Sequence, residues 1–392
     1  MPRLRRIALD LGSMHFLEST RANAYRGVLR YAQTRGRWQL LLNDHHFSLL
    51  GKYRELSDLA RLGAEGIILS YANAEKLATI RRLGLKAITV ASDLTAEGIP
   101  SVFSDDAQAG RLAAGHFLER GFRSFGFIGS KEVPWDLTRW RGFASALEAQ
   151  GQEPAHFESR HSADPALGRR KAARLAKWLR SAAKPFAVYC SDDTHAFQVL
   201  DCARRAGLAV PQEVAILGTD NNLLICGSTT PTLSSVEPDA VQVGYRAAQL
   251  LDEILAGADP PAAPILVPPR GIETRQSTDV LAIADPVVSR ALHFIGEHLA
   301  EAHGATEIGL ALGVSRRTVE SRFREHLGRS VNETVRARRL DRARGLLLDP
   351  LLSIQEIAAL CGFQSAAYFC TSFRRATGLS PTEWRARERP GD

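Results

Sequence analysis

Short apolar runs alternate with amphipathic stretches from Arg6 to about Arg275. Ile7–Leu11, Trp38–Leu42, Gly66–Ser70, Ala87–Ala91, Phe125–Ile128, Phe186–Cys190 and Val214–Gly218 are near-continuous in apolar residues, as strands buried on both faces are. Between them, Asn23–Thr34, Ala107–Arg120, Trp140–Gln150, Gly168–Ser181 and Ala196–Ala206 repeat apolar residues at helical spacing. Alternation of this kind predicts an α/β fold with parallel sheets flanked by helices. Many of the strands end in small or acidic residues: Asp10, Asn43-Asp44, Ser70, Ser92-Asp93, Ser191-Asp192 and Asp220. Ligands of open parallel sheets lie beyond the carboxyl ends of the strands, so these polar ends mark the candidate site. A region of about 275 residues exceeds one ordinary core. Two lobes are expected, Arg6–Ser101 with Asp239–Pro260 in one and Ser124–Pro238 in the other, with the ligand cleft between them. No G-x-G-x-x-G or G-x-x-x-x-G-K-[ST] follows a strand, so no nucleotide cofactor is expected.

After Arg275 the pattern changes. QSTDVLAIADPVV reads as a linker, residues 276–286, separating a first domain of residues 1–275 from a second of residues 287–392. Beyond Pro286 the spacing predicts helices only: Val287–Ala302, Ala305–Leu312, Arg316–Glu325, Asn332–Leu348, Ile354–Leu360, Ser365–Ala376 and Thr382–Arg387. Ser330-x-x-Glu333, Ser353-x-x-Glu356 and Ser380-Pro381-x-Glu383 have the form of capping boxes, and Asp349-Pro350 stops the long helix.

Two segments of this all-helical region repeat one another. EIGLALGVSRRTVESRF (Glu307–Phe323) and EIAALCGFQSAAYFCTSF (Glu356–Phe373) share an acidic-Ile start, a glycine six residues after the glutamate and a closing Phe. Each predicts a helix, a glycine turn and a second helix, with Gly313 and Gly362 free to take the positive φ of a tight turn. Ile308 with Val319, and Ile357 with Phe369, are spaced to pack the paired helices together. The second helices then present Arg316, Arg317, Glu320 and Ser321 in the first repeat, and Ser365, Ala367 and Thr371 in the other. From Arg316 to Arg344 there are ten arginines and four acidic residues, a formal +6 against +7 for the whole chain. Charge so concentrated is what contact with the phosphates of DNA needs. Two helix-turn-helix units on one stiff helix can reach successive major-groove segments.

Hydrophobic content of 45% and charged content of 24% are those of a globular protein. Five cysteines without C-x-x-C spacing read as reduced thiols of a cytoplasmic protein. The basic N-terminus has its apolar run broken at Asp10, so neither a signal peptide nor a membrane span is expected. His45-His46 are adjacent and lack a spaced third ligand, which predicts a surface pair and no metal.

The stretch SIQEIAALCGFQSAAYFCTSFRRATGLSPTEWR carries GF-x-S-x-x-YF, the following F-R-R and G-x-S-P-x-x-W-R. By these motifs residues from about Pro286 to Arg387 resemble the DNA-binding domain of the arabinose-operon regulator (AraC) family. The resemblance places Arg317, Glu320 and Ser321 where the first recognition helix reads bases, and Ala367 and Thr371 where the second does. Ser365 falls at a position that is either a phosphate contact or a helix cap. Gly309 stands where the family usually has alanine, which weakens that helix. Alanine at 367 favours reading by shape and methyl contact.

The first domain resembles the effector-binding domain of the lactose-repressor and ribose-binding-protein group, a two-lobed periplasmic-binding-protein-like fold. SDDAQAGRLAAGHFLERGFRSFGFIG, RWRGFASAL, VPQEVAILGTDNN and TTPTLSSVEPDAVQVGYRAAQLL carry the likeness. Arg139 and Asp220 occupy effector-binding positions in that group; an exposed helix-start charge and a helix N-cap are their alternatives. Asp10 and Arg21 are candidates from the first lobe. Asp192 is a ligand contact or the cap of the following helix, Trp135 a stacking wall or core residue, and Asp105 a helix cap or cleft residue. The combination of this sensor with an AraC-type reader resembles the bacterial xylose-operon activators as a group, through ILVPPRGIETRQSTD as well. That resemblance implies a dimeric activator, not an enzyme, with D-xylose as effector and operator DNA and RNA polymerase as partners. Another pentose or a hexose is the alternative effector; purines fit less well. An enzyme on the same scaffold and a constitutive DNA-binding protein are the competing classes.

Overall fold

The computed structural model describes residues 4–12, 20–35, 38–44, 54–70, 73–90, 98–159, 165–280, 285–301, 304–347 and 352–388. The chain forms two compact units, Met1–Val280 and Leu281–Asp392. His45-His46 lie outside the described residues.

The first unit begins with β1 (Arg5–Asp10), α1 (Thr20–Arg35), β2 (Trp38–Leu42), α2 (Leu56–Arg61), β3 (Ala64–Leu69), α3 (Ala74–Arg82) and β4 (Lys86–Thr89). It continues with β5 (Val102–Ser104), α4 (Asp106–Glu119), β6 (Ser124–Gly129), α5 (Pro134–Glu148), β7 (Ala155–Glu158), α6 (Pro165–Ser181), β8 (Phe186–Cys190), α7 (Asp193–Arg205) and β9 (Val214–Thr219). It closes with α8 (Leu223–Ser228), β10 (Ser234–Glu237), α9 (Ala240–Leu255), β11 (Ile265–Val267) and β12 (Gly271–Glu273). One parallel sheet has the order β2-β1-β3-β4. The other has the order β12-β10-β9-β8-β6-β7, parallel except for β12, and β5 pairs with β11 in a separate ribbon. The central strands are the continuous apolar runs, as sheets covered on both faces require; β8 and β9 are buried at every residue.

The short strands β5, β7, β10, β11 and β12 escape a reading by pattern. They have three or four residues each, and in β7 only Phe157 is buried. The expected lobes otherwise take shape: α9 crosses back to pack on α1, Leu251 joins Ile7, Val28 and Ile68 in one core, and Phe186, Val188 and Ile216 build another.

Close backbone crossings hold two helix pairs. A Cβ on Gly244 of α9 would sit 1.8 Å from the Ala24 carbonyl of α1, and one on Gly27 of α1 would sit 1.9 Å from the Val241 carbonyl. The α4 and α5 pair repeats the device, with Gly110 against Arg139 O at 2.2 Å and Gly142 against Ala107 O at 2.1 Å.

The expected linker start at 276 needs correction. Gln276–Thr278 form a single 3-10 turn inside the first unit, with Ser277 and Thr278 fully buried. Ser277 Oγ donates to Ile216 O at 2.6 Å, and Thr278 Oγ1 donates to Ser234 Oγ at 2.7 Å. Their polar character reads as linker along the chain, but those groups are satisfied by β9 and β10.

The second unit contains α10 (Pro286–Glu297), α11 (Ala305–Leu312), α12 (Arg316–Leu327), α13 (Val331–Leu346), α14 (Ile354–Leu360), α15 (Ala366–Thr377) and α16 (Pro381–Glu388). Helix α13 is the splint between two small cores. Its Val331 and Val335 pack with Ile308, Val319 and Phe323, while its Leu340 and Ala343 pack with Ile357, Phe369 and Phe373. All three capping boxes form: Glu333, Glu356 and Glu383 each accept the backbone N–H of their serine at 2.7 Å. Gly313 and Gly362 turn with φ of 71° and 78°. Cys190, Cys202, Cys226 and Cys361 are buried free thiols, and Cys370 is half-buried.

Candidate functional site

The carboxyl ends of β1 and β3 face those of β8 and β9 across a cleft of about 1080 Å³. Asp10, Arg21, Trp135, Arg139, Asp192 and Asp220 all line it. Arg139 is the centre of its second-lobe wall. The side chain is 6% exposed, not the surface charge that its place in the first half of a helix allows. Its Nε donates to Asp106 Oδ1 at 2.8 Å, an Nη donates to the Ser191 carbonyl, and the other Nη stands 3.7 Å from Asp220 Oδ1. A buried guanidinium is tolerable only with such partners.

The carboxyls around it are pushed towards their neutral forms. Burial raises Asp106 and Asp136, with Arg139 opposing in both. Asp136 also accepts the Ser130 N–H at 2.8 Å. Burial, opposed by Arg139 and reinforced by Asp193 and Asp192, pushes Asp220 up to about 8. Asp220 is not a helix cap: Asn222 caps α8. Asp220 and Asn221 are consecutive non-glycine residues at φ of 103° and 50°, a conformation that needs support from its surroundings. Asp192 caps α7 through His195 N at 2.7 Å and still lines the cleft, so both of its readings hold geometrically. Trp135 is 39% exposed at the start of α5, a rim residue and not a core one. Asp105 caps α4 through Gln108 N at 2.8 Å.

In the first lobe Asp10 is 8% exposed. Lys76 Nζ reaches its Oδ2 at 2.6 Å, and Asn43 Nδ2 donates to the same oxygen at 3.3 Å. Arg21 lies over Gly12, where a Cβ would come within 3.0 Å of its guanidinium.

In the second unit, Ser315 and Ser365 cap α12 and α15 through Thr318 N at 3.1 Å and Tyr368 N at 3.2 Å. The cap reading of Ser365 thus holds geometrically, and its exposed position on the second unit leaves the other reading open to the DNA. Arg316, Arg317 and Ser321 are exposed on α12, and Ala367 and Thr371 on α15. Glu320 accepts Arg316 Nε at 2.9 Å, and Thr371 Oγ1 donates to Ala367 O at 3.0 Å. Not all of the basic run is available to phosphates. Arg338 donates to Leu292 O at 2.8 Å, Arg339 donates to Leu299 O at 3.1 Å and Glu301 O at 2.5 Å, and the Arg344 guanidinium lies 5.6 Å over the Trp384 ring. The expectation for Gly309 also changes: a Cβ there would meet the Val314 carbonyl at 2.7 Å, so lost helix propensity is exchanged for a close turn.

Residues 114–278 match the model of a periplasmic binding protein-like domain, and residues 309–387 match that of a helix-turn-helix domain. The xylose operon regulatory protein of Escherichia coli K12 is 28% identical over 367 residues, 92% of each chain. That of Haemophilus influenzae is 25% identical, covering 92% of this chain and 93% of its own. A solved structure of the xylose-binding transcription activator XylR superposes with a TM-score of 0.77 at 26% identity, covering 98% of this chain and 99% of that one. The chain is a homologue of the xylose operon regulatory proteins.

It is accordingly a DNA-binding transcription regulator with a periplasmic-binding-like sensor and an AraC-type reader. For this homologue of the xylose operon regulators, sequence reasoning named residues that line both walls of the cleft and missed one charged residue on each. Lys76 was overlooked, although Asn73, capping α3 through Lys76 N at 2.9 Å, marks it as a first-turn residue. Asp106 was overlooked beside Asp105. An acidic pair at a helix start was the available signal, since one carboxylate caps and its neighbour is left for a cation.

Proposed function

We propose that the cleft binds a pentose, D-xylose before other sugars, and that the protein is a cytoplasmic homodimer activating xylose genes through RNA polymerase. One observation carries the reading: charged groups from both lobes, Asp10 with Lys76 and Arg139 with Asp220, line a single cleft. Sugar hydroxyls need acceptors and donors converging from several directions. Carboxylates accept, and the guanidinium and ammonium donate. Trp135 offers a flat apolar rim for the pyranose face. Binding that touches both lobes favours their closed arrangement, and the operator response follows from differential affinity for the two arrangements. The names of the relatives, xylose operon regulatory protein and xylose-binding activator, support the choice of sugar.

Calorimetric titration with D-xylose, beside L-arabinose, D-ribose and D-glucose, tests this directly. Xylose should bind in the micromolar to millimolar range. Binding of another sugar alone would reassign the effector, and turnover of the sugar would make the protein an enzyme. Asp220→Ala should abolish the heat of xylose binding while leaving operator affinity without sugar within about twofold. Retained xylose binding would remove Asp220 from the site.

The reading helices are proposed to be α12 and α15, with Arg316, Arg317, Glu320, Ser321, Ser365, Ala367 and Thr371 at the DNA. Arg317→Ala should weaken operator binding by about 1–3 kcal/mol, the cost of one lost base-edge contact, with xylose affinity unchanged. An electrophoretic mobility shift at wild-type affinity would take Arg317 off the reading face.

A further inference from the structure

We infer that Arg275 is a positioning residue for the effector cleft, and that it joins the Asp220 turn to the chain leaving for the helix-turn-helix domain. The inference rests on the cleft being the sugar site.

Asp220 and Asn221 have left-handed φ values without being glycine, so neighbours must hold them. Three bonds come from the backbone and side chains close by: Asp220 N donates to Val236 O at 2.9 Å, Asn221 N to Ser235 Oγ at 3.0 Å, and Asn222 N to Asp193 Oδ2 at 2.7 Å. A further bond comes from much later in the chain. Arg275 donates from one Nη to Asn221 Oδ1 at 2.7 Å and from the other to Leu233 O at 2.9 Å. The planar fork thus spans the turn carrying Asp220 and the start of β10.

Arg275 immediately precedes the 3-10 turn Gln276–Thr278, beyond which the first unit ends at Val280. That turn is bolted to the same lobe. Ser277 N donates to Thr232 O at 2.9 Å, Ser277 Oγ to Ile216 O, and Arg120 Nε to Thr278 O at 3.1 Å. His116 Nε2 lies 2.8 Å from Thr278 Oγ1, and burial pulls this imidazole down to about 3, so it stays neutral. A shift of Asp220 towards a ligand moves Asn221, its neighbour in a strained turn, and Asn221 is hydrogen-bonded to the residue at the head of the exit. Effector contact and exit segment are consequently one hydrogen-bonded unit of the second lobe.

The test uses the full-length protein, D-xylose, and a duplex selected from random sequence by the wild type in the presence of xylose. Xylose is titrated with and without the duplex, and the ratio of the two affinities is the coupling, for which allosteric proteins show about 5–150-fold. Arg275→Met and Asn221→Ala are each expected to bring that ratio within about twofold of unity while both variants still bind xylose and duplex. The double variant should lose no more than Arg275→Met alone, because the bond between Arg275 and Asn221 is already gone in either single variant. Arg275→Lys, with one donor in place of a fork, should recover part of the ratio. Should Arg275→Met fail to fold, Asn221→Ala leaves the bond to Leu233 O and decides alone. Wild-type coupling in Asn221→Ala, or a fall in xylose affinity equal with and without DNA, overturns the inference and leaves the sugar site standing. A wild type that binds no xylose overturns the sugar reading, and the inference with it.

Discussion

Arg139→Met should eliminate xylose binding and destabilise the first domain by about 3–5 kcal/mol at neutral pH, the range for removing one partner of a buried ion pair. The methionine fills much of the volume, so packing loss is the smaller effect. The larger one is the set of carboxyls left behind. Asp106 loses a 2.8 Å bond, Asp220 its nearby cation and the Ser191 carbonyl a donor. Asp106, Asp136 and Asp220 already have folded-state pKa values raised by burial, and in each case Arg139 pulls the other way. Without it they rise further. A group whose folded pKa lies above its unfolded value contributes stability that is present below the unfolded value and lost as pH rises through the folded one. The deficit of the variant should therefore be greatest above about pH 8, where Asp220 titrates in the wild type, and should shrink as pH falls towards 5. Thermal unfolding of both proteins across that window checks it. A deficit independent of pH would show that Arg139 acts through packing and not through charge.

Gly142→Ala is the second large effect, expected at about 3 kcal/mol with loss of the cleft's geometry. In an isolated helix the change would help by about 1 kcal/mol. Here the added methyl would sit 2.1 Å from the Ala107 carbonyl, inside any permitted contact, and the obstacle is backbone that no rotamer change can clear. Overpacking of even movable side chains costs about 1–3 kcal/mol. The clash wins, and α4 and α5 must separate. Because Asp106 lies on α4 and Arg139 on α5, separation stretches their 2.8 Å ion pair. The variant should melt at a lower temperature and bind xylose weakly, whereas Gly115→Ala, on α4 with nothing within 4 Å of the added carbon, should do neither. Unchanged xylose affinity in Gly142→Ala would show that the crossing does not set the site.

How much of this was readable along the chain depended on the reach of the interaction involved. Buried central strands, helix caps and the glycine turns are decided by residues within about six positions. Ser353 with Glu356 and the φ of Gly362 could accordingly be placed beforehand. The two-lobed plan followed from the alternation of elements, and the polar strand ends pointed at the cleft because parallel sheets put their ligands there. The rest was set by partners that no local pattern brings together. Arg139 is buried because Asp106, 33 positions away, neutralises it. Arg338 and Arg339 leave the basic footprint because carbonyls of the α10 region, some 40 positions earlier, take their donors. Gln276–Thr278 belong to the sensor because Thr232 and Ser234 receive them, and Lys76 joins the site because Asp10 lies at the end of a neighbouring strand. Sequence by itself therefore determined the elements, their ends and the class of fold, since those are short-range consequences of patterning and backbone geometry. Tertiary structure decided which charges are buried, which helices touch and where the sensor ends, because each is a contest between solvation and partners that meet only after the chain has folded.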